Sequence, residues 1–142
     1  MMKQTANRLL ALLLAMMMTL SLAACGKAPQ SGTVTVPVQD GAVIGEGGKT
    51  FSVEVTDADG KTVRFTVRTD QETVGAALQE LGVVAGEQSS YGLYIKTVNG
   101  ITADYDRDGV YWAFYIDGGY AATGADQTGV TAGSVYAFRV EK

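Results

Sequence analysis

Two short runs of alternating residues most constrain the fold of this chain. Residues 51–56, Phe-Ser-Val-Glu-Val-Thr, alternate apolar and polar side chains, and residues 62–68, Thr-Val-Arg-Phe-Thr-Val-Arg, do so again. A period of two places the apolar side chains on one face of a strand. Residues 57–60, Asp-Ala-Asp-Gly, connect the runs with turn-forming residues. The pattern predicts a β-hairpin with one buried face.

A single helix is predicted after this hairpin. Asp70 or Thr73 can cap its start, and Gly82 is the expected stop. Gly75 lowers the helix propensity and suggests that another backbone approaches closely there. Apolar residues at the spacing i, i+3, i+4 and i+7 form one stripe, which comprises Val74, Ala77, Leu78 and Leu81. We expect this stripe to pack on the apolar face of the hairpin.

Further strands are predicted at residues 93–98, 111–116 and 136–140, and residues 85–90 are predicted to be a loop. Asn99-Gly100 is a strong signal for a tight turn. Runs of strands around one helix indicate an α+β fold. The expected architecture is β-grasp-like, a mixed sheet of about five strands with one helix packed across one face.

The N-terminal 24 residues have the layout of a secretory signal. Lys3 and Arg8 precede an apolar run at residues 9–20, which is too short for an ordinary transmembrane helix. Residues 22–25, Leu-Ala-Ala-Cys, resemble the lipobox of bacterial lipoproteins. The resemblance implies cleavage before Cys25 and lipid on its sulfur and on the new N-terminus. We therefore expect a lipid-anchored protein that faces outward from the cell membrane.

The charge of the chain excludes several classes of function. The net charge is −4, and loss of Lys3 and Arg8 with the signal moves it to −6. Nucleic acids and anionic lipids need basic surfaces, so neither is an expected partner. The chain has no His, which excludes His-based triads and His-ligated metal sites. No phosphate loop or nucleophile motif is present, and no catalytic residue is predicted.

Residues 25–48 are predicted to be a flexible tether between the lipid and the domain. This segment holds both prolines and many Gly, Ser, Thr and Gln residues, with few large apolar ones. The alternative is that residues 34–36 and 43–44 pair as edge strands. The domain itself is assigned to residues 49–142.

An acidic stretch at residues 104–109, Asp-Tyr-Asp-Arg-Asp-Gly, is the candidate metal site. Asp104, Asp106 and Asp108 alternate, as carboxylates do in calcium loops, where several oxygens surround the ion. An EF-hand is excluded, since its last ligand position would fall on Tyr115. A calcium loop between strands, with Asp117 or Asp126 as a further ligand, remains one alternative. The other is a solvated loop whose Asp side chains bond their own turn.

The aromatic strand at residues 111–116 supplies the candidate ligand site. Trp112 and Phe114 share one parity and are expected in the core. The ligand-binding prediction comprises Tyr111, Tyr115, Tyr120 and, at the adjoining turn, Asn99. Exposed tyrosines can stack on a flat ligand or a sugar, because each has an apolar body and a polar tip. The alternative is that they form cross-strand pairs that stiffen the sheet.

Residues 98–101 (VNGI), 104–109 (DYDRDG) and 111–118 (YWAFYIDG), with 124–126 (GAD) and 133–138 (GSVYAF), resemble the bacterial DUF4430 family. That family is similar to the C-terminal β-grasp domain of transcobalamin and intrinsic factor. In those proteins cobalamin lies between this domain and a helical domain that has no counterpart in the present sequence. The resemblance implies an extracellular β-grasp domain for soluble ligands, with cobalamin as a ligand to test and a helical partner chain as an open possibility.

The leading hypothesis is therefore a membrane-anchored lipoprotein whose single domain binds a soluble small ligand or a surface partner, with calcium as an open cofactor. The alternative is a calcium-stabilised structural or adhesive module that has no small-molecule site.

Overall fold

The computed structural model describes residues 34–142. The predicted signal at residues 1–24, the lipid attachment at Cys25 and the first part of the predicted tether lie outside these residues. Within residues 34–142, no helix is long and apolar enough to cross a membrane.

The elements follow one another as strands, a helix and further strands. In chain order they are β1 (Val43–Gly45), β2 (Lys49–Thr56), β3 (Thr62–Thr69), α1 (Val74–Glu80), β4 (Val84–Ser89), β5 (Gly92–Val98), β6 (Ile101–Thr102), α2 (Tyr105–Asp108), β7 (Tyr111–Ile116), β8 (Gly119–Tyr120), a 3₁₀ helix (Ala125–Gln127) and β9 (Val135–Glu141).

The predicted hairpin is β2 and β3, which pair antiparallel over their full lengths. Asp57 closes the turn between them, because its Oδ1 accepts hydrogen bonds from the backbone N–H groups of Asp59 and Lys61, both at 2.9 Å. Gly60 has a φ of 83°, which a residue with a side chain rarely adopts. The hairpin prediction is confirmed.

Two sheets form around this hairpin. The larger has six strands in the order β1-β3-β2-β9-β7-β8, and the smaller has three in the order β4-β5-β6. The pairs β1–β3 and β2–β9 are parallel, so the larger sheet is mixed. The predicted α+β class is confirmed, but the predicted count of about five strands is too low.

Helix α1 packs its apolar stripe on the inner face of the larger sheet. Thr73 is the N-cap, and its Oγ1 accepts from the N–H of Ala76 at 3.2 Å. Asp70, the other candidate cap, instead accepts from the N–H of Gly48 at 2.8 Å. The core that the helix and sheet enclose includes Val74, Ala77, Leu78, Phe51, Val53, Phe65, Tyr136 and Phe138, each 1% exposed or less.

The prediction of a loop at residues 85–90 is wrong, because β4 occupies residues 84–89. Five of its six side chains are exposed, so the strand shows no alternation of apolar and polar residues. Its pairing with β5 is made by the backbone, with a bulge between Ala85 and Gly86. The short helices α2 and Ala125–Gln127 were also not predicted.

The described part of the predicted tether, residues 34–48, packs on the domain. Strand β1 pairs parallel with β3, so the edge-strand alternative holds for Val43 and Ile44. Val38 is 4% exposed, and the backbone N–H of Val34 donates to the carbonyl of Leu81 at 3.0 Å. The physical reason is that the hairpin leaves one edge of β3 unpaired, and the backbone groups at that edge can pair with a strand of almost any composition, here β1.

Gly75 provides a test of the packing of α1. A Cβ at this position would lie 2.6 Å from the backbone N and Cα of Asp126. We expect Gly75→Ala to destabilise the protein by roughly 1–3 kcal/mol, because backbone atoms must move to make room. Helix propensity alone predicts the opposite sign, about 1 kcal/mol in favour of Ala.

Urea unfolding followed by the fluorescence of Trp112 measures the difference. Gln79→Ala, an exposed change on the same helix, is the matched control and should be nearly neutral. A Gly75→Ala variant more stable than the parent would contradict the close approach of the two backbones.

Candidate functional site

The outer face of the larger sheet, opposite α1, carries the candidate site. Alternation along β7 turns Trp112 and Phe114 toward the core and Tyr111, Ala113 and Tyr115 outward. Strand β9 pairs with β7 so that Glu141 lies opposite Tyr111, Arg139 opposite Ala113, and Ala137 opposite Tyr115.

Tyr115 contacts Tyr120, Arg139 and Glu141 on this face. It pairs across strands with Tyr120, and the two ring centroids are 5.5 Å apart at an interplanar angle of 90°. The guanidinium carbon of Arg139 lies 4.6 Å from the centroid of the Tyr115 ring, in cation–π geometry. The Tyr115 hydroxyl donates a hydrogen bond to Glu141 Oε1. That bond is the main reason that the pKa of Tyr115 is raised, so its phenol stays protonated at neutral pH.

Tyr111 connects this cluster to α2. Its ring centroid is 6.4 Å from that of Tyr105, at an interplanar angle of 68°. Partial burial raises the pKa of Tyr111, and the neighbouring Tyr120 and Glu141 side chains raise it further. Four tyrosines, one arginine and one glutamate therefore adjoin one another. We call this set, Tyr105, Tyr111, Tyr115, Tyr120, Arg139 and Glu141, the tyrosine patch.

The tyrosine patch is open to solvent at its rim and closed at its floor. Tyr105 is 58% exposed and Tyr120 is 67% exposed. Ala113 and Ala137 belong to the outer face but are only 1% and 3% exposed, because larger neighbours cover them. Neither alanine belongs to the hydrophobic core cluster under α1. The large side chains of the tyrosine patch therefore form a layer over Ala113 and Ala137.

Of the predicted ligand residues, Tyr111, Tyr115 and Tyr120 come together in the tyrosine patch, whereas Asn99 does not join them. Asn99 is 3% exposed, and both ends of its amide bond to Val38. Its Oδ1 accepts from the Val38 N–H at 2.6 Å, and its Nδ2 donates to the Val38 carbonyl at 3.2 Å. Asn99 therefore holds the N-terminal segment against the turn after β5.

The acidic stretch forms a short helix, α2, instead of a curved loop. Asp104 is its N-cap and accepts from the Asp106 N–H at 3.2 Å, and Gly109 ends it with a φ of 67°. Residues two apart on a helix differ by about 200° in direction, so Asp106 and Asp108 do not point to a common centre. This is the physical reason that the three carboxylates do not gather as a calcium loop would require.

The other carboxylates near this segment already have partners. Asp104 also lies 3.7 Å from Lys96 Nζ. Asp117 accepts from the Val135 N–H at 2.8 Å, and Asp126 accepts from the Leu93 N–H at 3.0 Å. Across residues 34–142, no three Asp, Glu, His or Cys side chains are grouped so that they could hold a metal ion. The acidic residues present do not fit a calcium site.

Three members of the tyrosine patch were missed from sequence. Arg139 and Glu141 alternate with the core residues Phe138 and Val140, so their outward direction was available from the period of two. Their partners on β7 depend on the register between two strands, which no local pattern specifies. Tyr105 was missed because α2 was not predicted.

A separate cavity of about 770 Å³ lies within residues 34–46. The lining residues that the structure describes lie in the N-terminal segment, and Glu46 is the charged one among them. None of these described lining residues is a predicted site residue.

The two interpretations of the acidic stretch, a calcium site and a loop that bonds its own turn, predict different effects on the stability of the protein. Asp104→Ala removes the cap of α2 and the Lys96 contact, and we expect a loss of about 1 kcal/mol. Asp108→Ala is the matched control, since that side chain is exposed, and its effect should stay within about 0.5 kcal/mol. Thermal unfolding in EDTA and in millimolar calcium should give the same midpoint. Stabilisation by calcium that Asp106→Ala abolishes would show that the carboxylates do gather around a cation.

Comparison with known proteins identifies the family. The family model "Domain of unknown function (DUF4430)" matches residues 71–142, which begins between β3 and α1. No curated protein matches the chain.

Two solved structures are similar to this fold. The first is a protein of Ruminococcus gnavus ATCC 29149, described as a candidate metal binding protein, with 33% identity and a TM-score of 0.63. The similarity covers 67% of the present chain and 98% of that one. The second is haptocorrin in complex with Cbi, with 22% identity and a TM-score of 0.47, over 66% of this chain and 25% of that chain. On the family match and the first of these structures, the chain belongs to the DUF4430 family.

Proposed function

We propose that this protein is a membrane-anchored extracytoplasmic lipoprotein whose single β-grasp-like domain binds a soluble small ligand on the tyrosine patch. The alternative is that the tyrosine patch binds a surface protein instead of a small molecule. The role is binding and involves no catalytic step.

The observation that carries the proposal is the composition of the open sheet face. Helix α1 covers one face of the larger sheet. At the other face, Tyr120 and the adjoining Tyr105 of α2 are more than half exposed. Tyrosine is enriched in binding surfaces, because its ring supplies apolar contact and its hydroxyl a hydrogen bond. Arg139 and Glu141 add one charge of each sign beside these rings. A small molecule with an apolar or aromatic part would find both kinds of contact here.

Anchoring to the membrane is supported by the N-terminal sequence. The basic start, the apolar run and Leu-Ala-Ala-Cys at residues 22–25 have the order of a lipoprotein signal. Residues 26–33, with Pro29 and several small polar residues, would then separate the lipid from the part of the domain that begins at Val34. A domain held this way would sample ligands outside the cell.

The similar R. gnavus protein is described as a candidate metal binding protein. The alternative function for this chain is a calcium-stabilised structural or adhesive module. The acidic stretch does not support it here, because Asp104 caps α2 and Asp106 and Asp108 point apart. The structural or adhesive module therefore has no observation in its favour in this part of the chain.

Ligand-observed saturation-transfer NMR tests the binding role. The probes are a mixture of simple sugars, aromatic acids and quaternary ammonium compounds, with cobalamin as a separate sample, added to the lipidated chain in nonionic detergent. We expect at least one probe class to receive magnetisation from the protein, and Tyr120→Ala to reduce that signal by more than half. Tyr91→Ala is the matched control, since Tyr91 is 94% exposed in the turn between β4 and β5. Equal signals from the parent and Tyr120→Ala, or none from any probe, would overturn the proposal.

Lipid attachment is tested by metabolic labelling in a bacterial host with a clickable fatty acid. We expect the label on the parent protein in the membrane fraction, and no label on Cys25→Ser, because the sulfur is the attachment atom. Immunoblots of both fractions control for expression. A parent protein found unlabelled in the cytosol would contradict anchoring.

A further inference from the structure

The rings of the tyrosine patch do not lie in a common plane. Tyr105 and Tyr111 meet at 68°, and Tyr115 and Tyr120 meet at 90°. A flat ligand needs coplanar rings if it is to stack on more than one of them. The exposed faces of rings at steep angles point in different directions, so they can contact a compact, rounded group from more than one side.

A carboxylate lies beside these rings. Glu141 is directly opposite Tyr111 on the neighbouring strand and accepts a hydrogen bond from Tyr115. In the ion pairs formed among residues 34–142, neither Glu141 nor Arg139 takes part. Glu141 therefore keeps a negative charge that no neighbouring cation cancels by direct contact. The net charge of the whole chain, −4, has the same sign.

The patch already shows attraction between a cation and a tyrosine ring. Arg139 lies 4.6 Å from the centre of the Tyr115 ring. Aromatic faces attract cations electrostatically, and quaternary ammonium groups are recognised in this way by cages of aromatic side chains. Since Arg139 occupies one face of Tyr115, the rings left for a ligand are those of Tyr105, Tyr111 and Tyr120.

We propose that Tyr105, Tyr111, Tyr120 and Glu141 form an aromatic cage that binds a quaternary or methylated ammonium group. This inference rests on the proposed function and specifies its ligand. The methyl groups of such a cation lie against ring faces, and its charge is balanced by Glu141. A primary ammonium fits less well, because it has no methyl groups to lie against the ring faces and its N–H donors favour hydrogen bonds to water.

The ligand comparison uses two molecules of the same shape. Calorimetric titration of the lipidated chain in nonionic detergent compares choline with the alcohol in which carbon replaces its nitrogen. We expect the uncharged alcohol to bind roughly tenfold more weakly, or not at all. Tetramethylammonium chloride should compete with choline, and sodium chloride at the same ionic strength should compete much less.

Variants assign the effect to the cage. Glu141→Gln keeps an acceptor for Tyr115 but removes the charge, and Tyr120→Leu keeps apolar area but removes the ring. We expect each to weaken choline binding roughly three- to tenfold. Arg139→Leu should strengthen it, because this change removes a competing positive charge and uncovers the Tyr115 ring.

Two control variants should leave the affinity unchanged. Glu54→Gln alters a carboxylate that is paired with Arg64 at 3.2 Å on the same sheet face. Tyr91→Leu alters an exposed tyrosine in the turn between β4 and β5.

The outcomes separate this inference from the proposed function. If choline and its uncharged analogue bind equally, or if Arg139→Leu abolishes binding while Glu141→Gln does not, the cation cage is wrong although the patch is a ligand site. If choline does not bind but a sugar or an aromatic acid gives signals that depend on Tyr120, the cage is again wrong and the proposed function stands. If no probe of any class depends on Tyr120, both are overturned.

Discussion

The parallel pairing of β2 with β9 is the constraint on which the rest of the larger sheet depends. It joins residues 52–56 to residues 135–139, near opposite ends of the described chain. On the inner face it places Tyr136 and Phe138 beside Val53 and Val55, where α1 covers them. On the outer face the same β9 brings Arg139 and Glu141 to the tyrosines of β7. Alternate residues of β9 thus contribute to the core and to the tyrosine patch. A register slip of one residue would turn the core side chains outward and the patch side chains inward.

Local patterns were sufficient where one face of an element is buried. The alternation of residues 51–56 and 62–68 specified the hairpin, and the stripe ending at Leu81 specified α1 to within a residue. The close approach inferred at Gly75 is also present, with Asp126 as the neighbouring backbone. In each case one buried face requires apolar residues at regular positions, so the spacing of these residues predicts the element. The outward direction of Tyr111 and Tyr115 followed from the same alternation.

Prediction failed where backbone groups, not side chains, determine the structure. Strand β4 has five exposed side chains, and β1 lies in a segment whose composition is that of a linker. Both strands are held by main-chain hydrogen bonds, which side-chain patterns in a sequence scarcely predict. The spacing of the acidic stretch left two interpretations open, a calcium loop and a solvated loop whose Asp side chains bond their own turn. The hydrogen bond from the Asp106 N–H to Asp104 agrees with the second. A cap needs one N–H nearby, whereas a calcium site needs several oxygens at once.

The two interpretations of the aromatic residues, cross-strand pairing and ligand binding, lead to different expectations for Tyr105. If these tyrosines only stiffened the sheet, the pair Tyr115–Tyr120 and the bond from Tyr115 to Glu141 would suffice. Tyr105 lies outside the sheet, on α2, and still turns its ring to Tyr111 while remaining 58% exposed. A ring in that position contributes little to sheet pairing. It does add a second, exposed aromatic ring beside Tyr111. The cap at Asp104, which begins α2, therefore matters to the site through the position of Tyr105, one residue further along the chain.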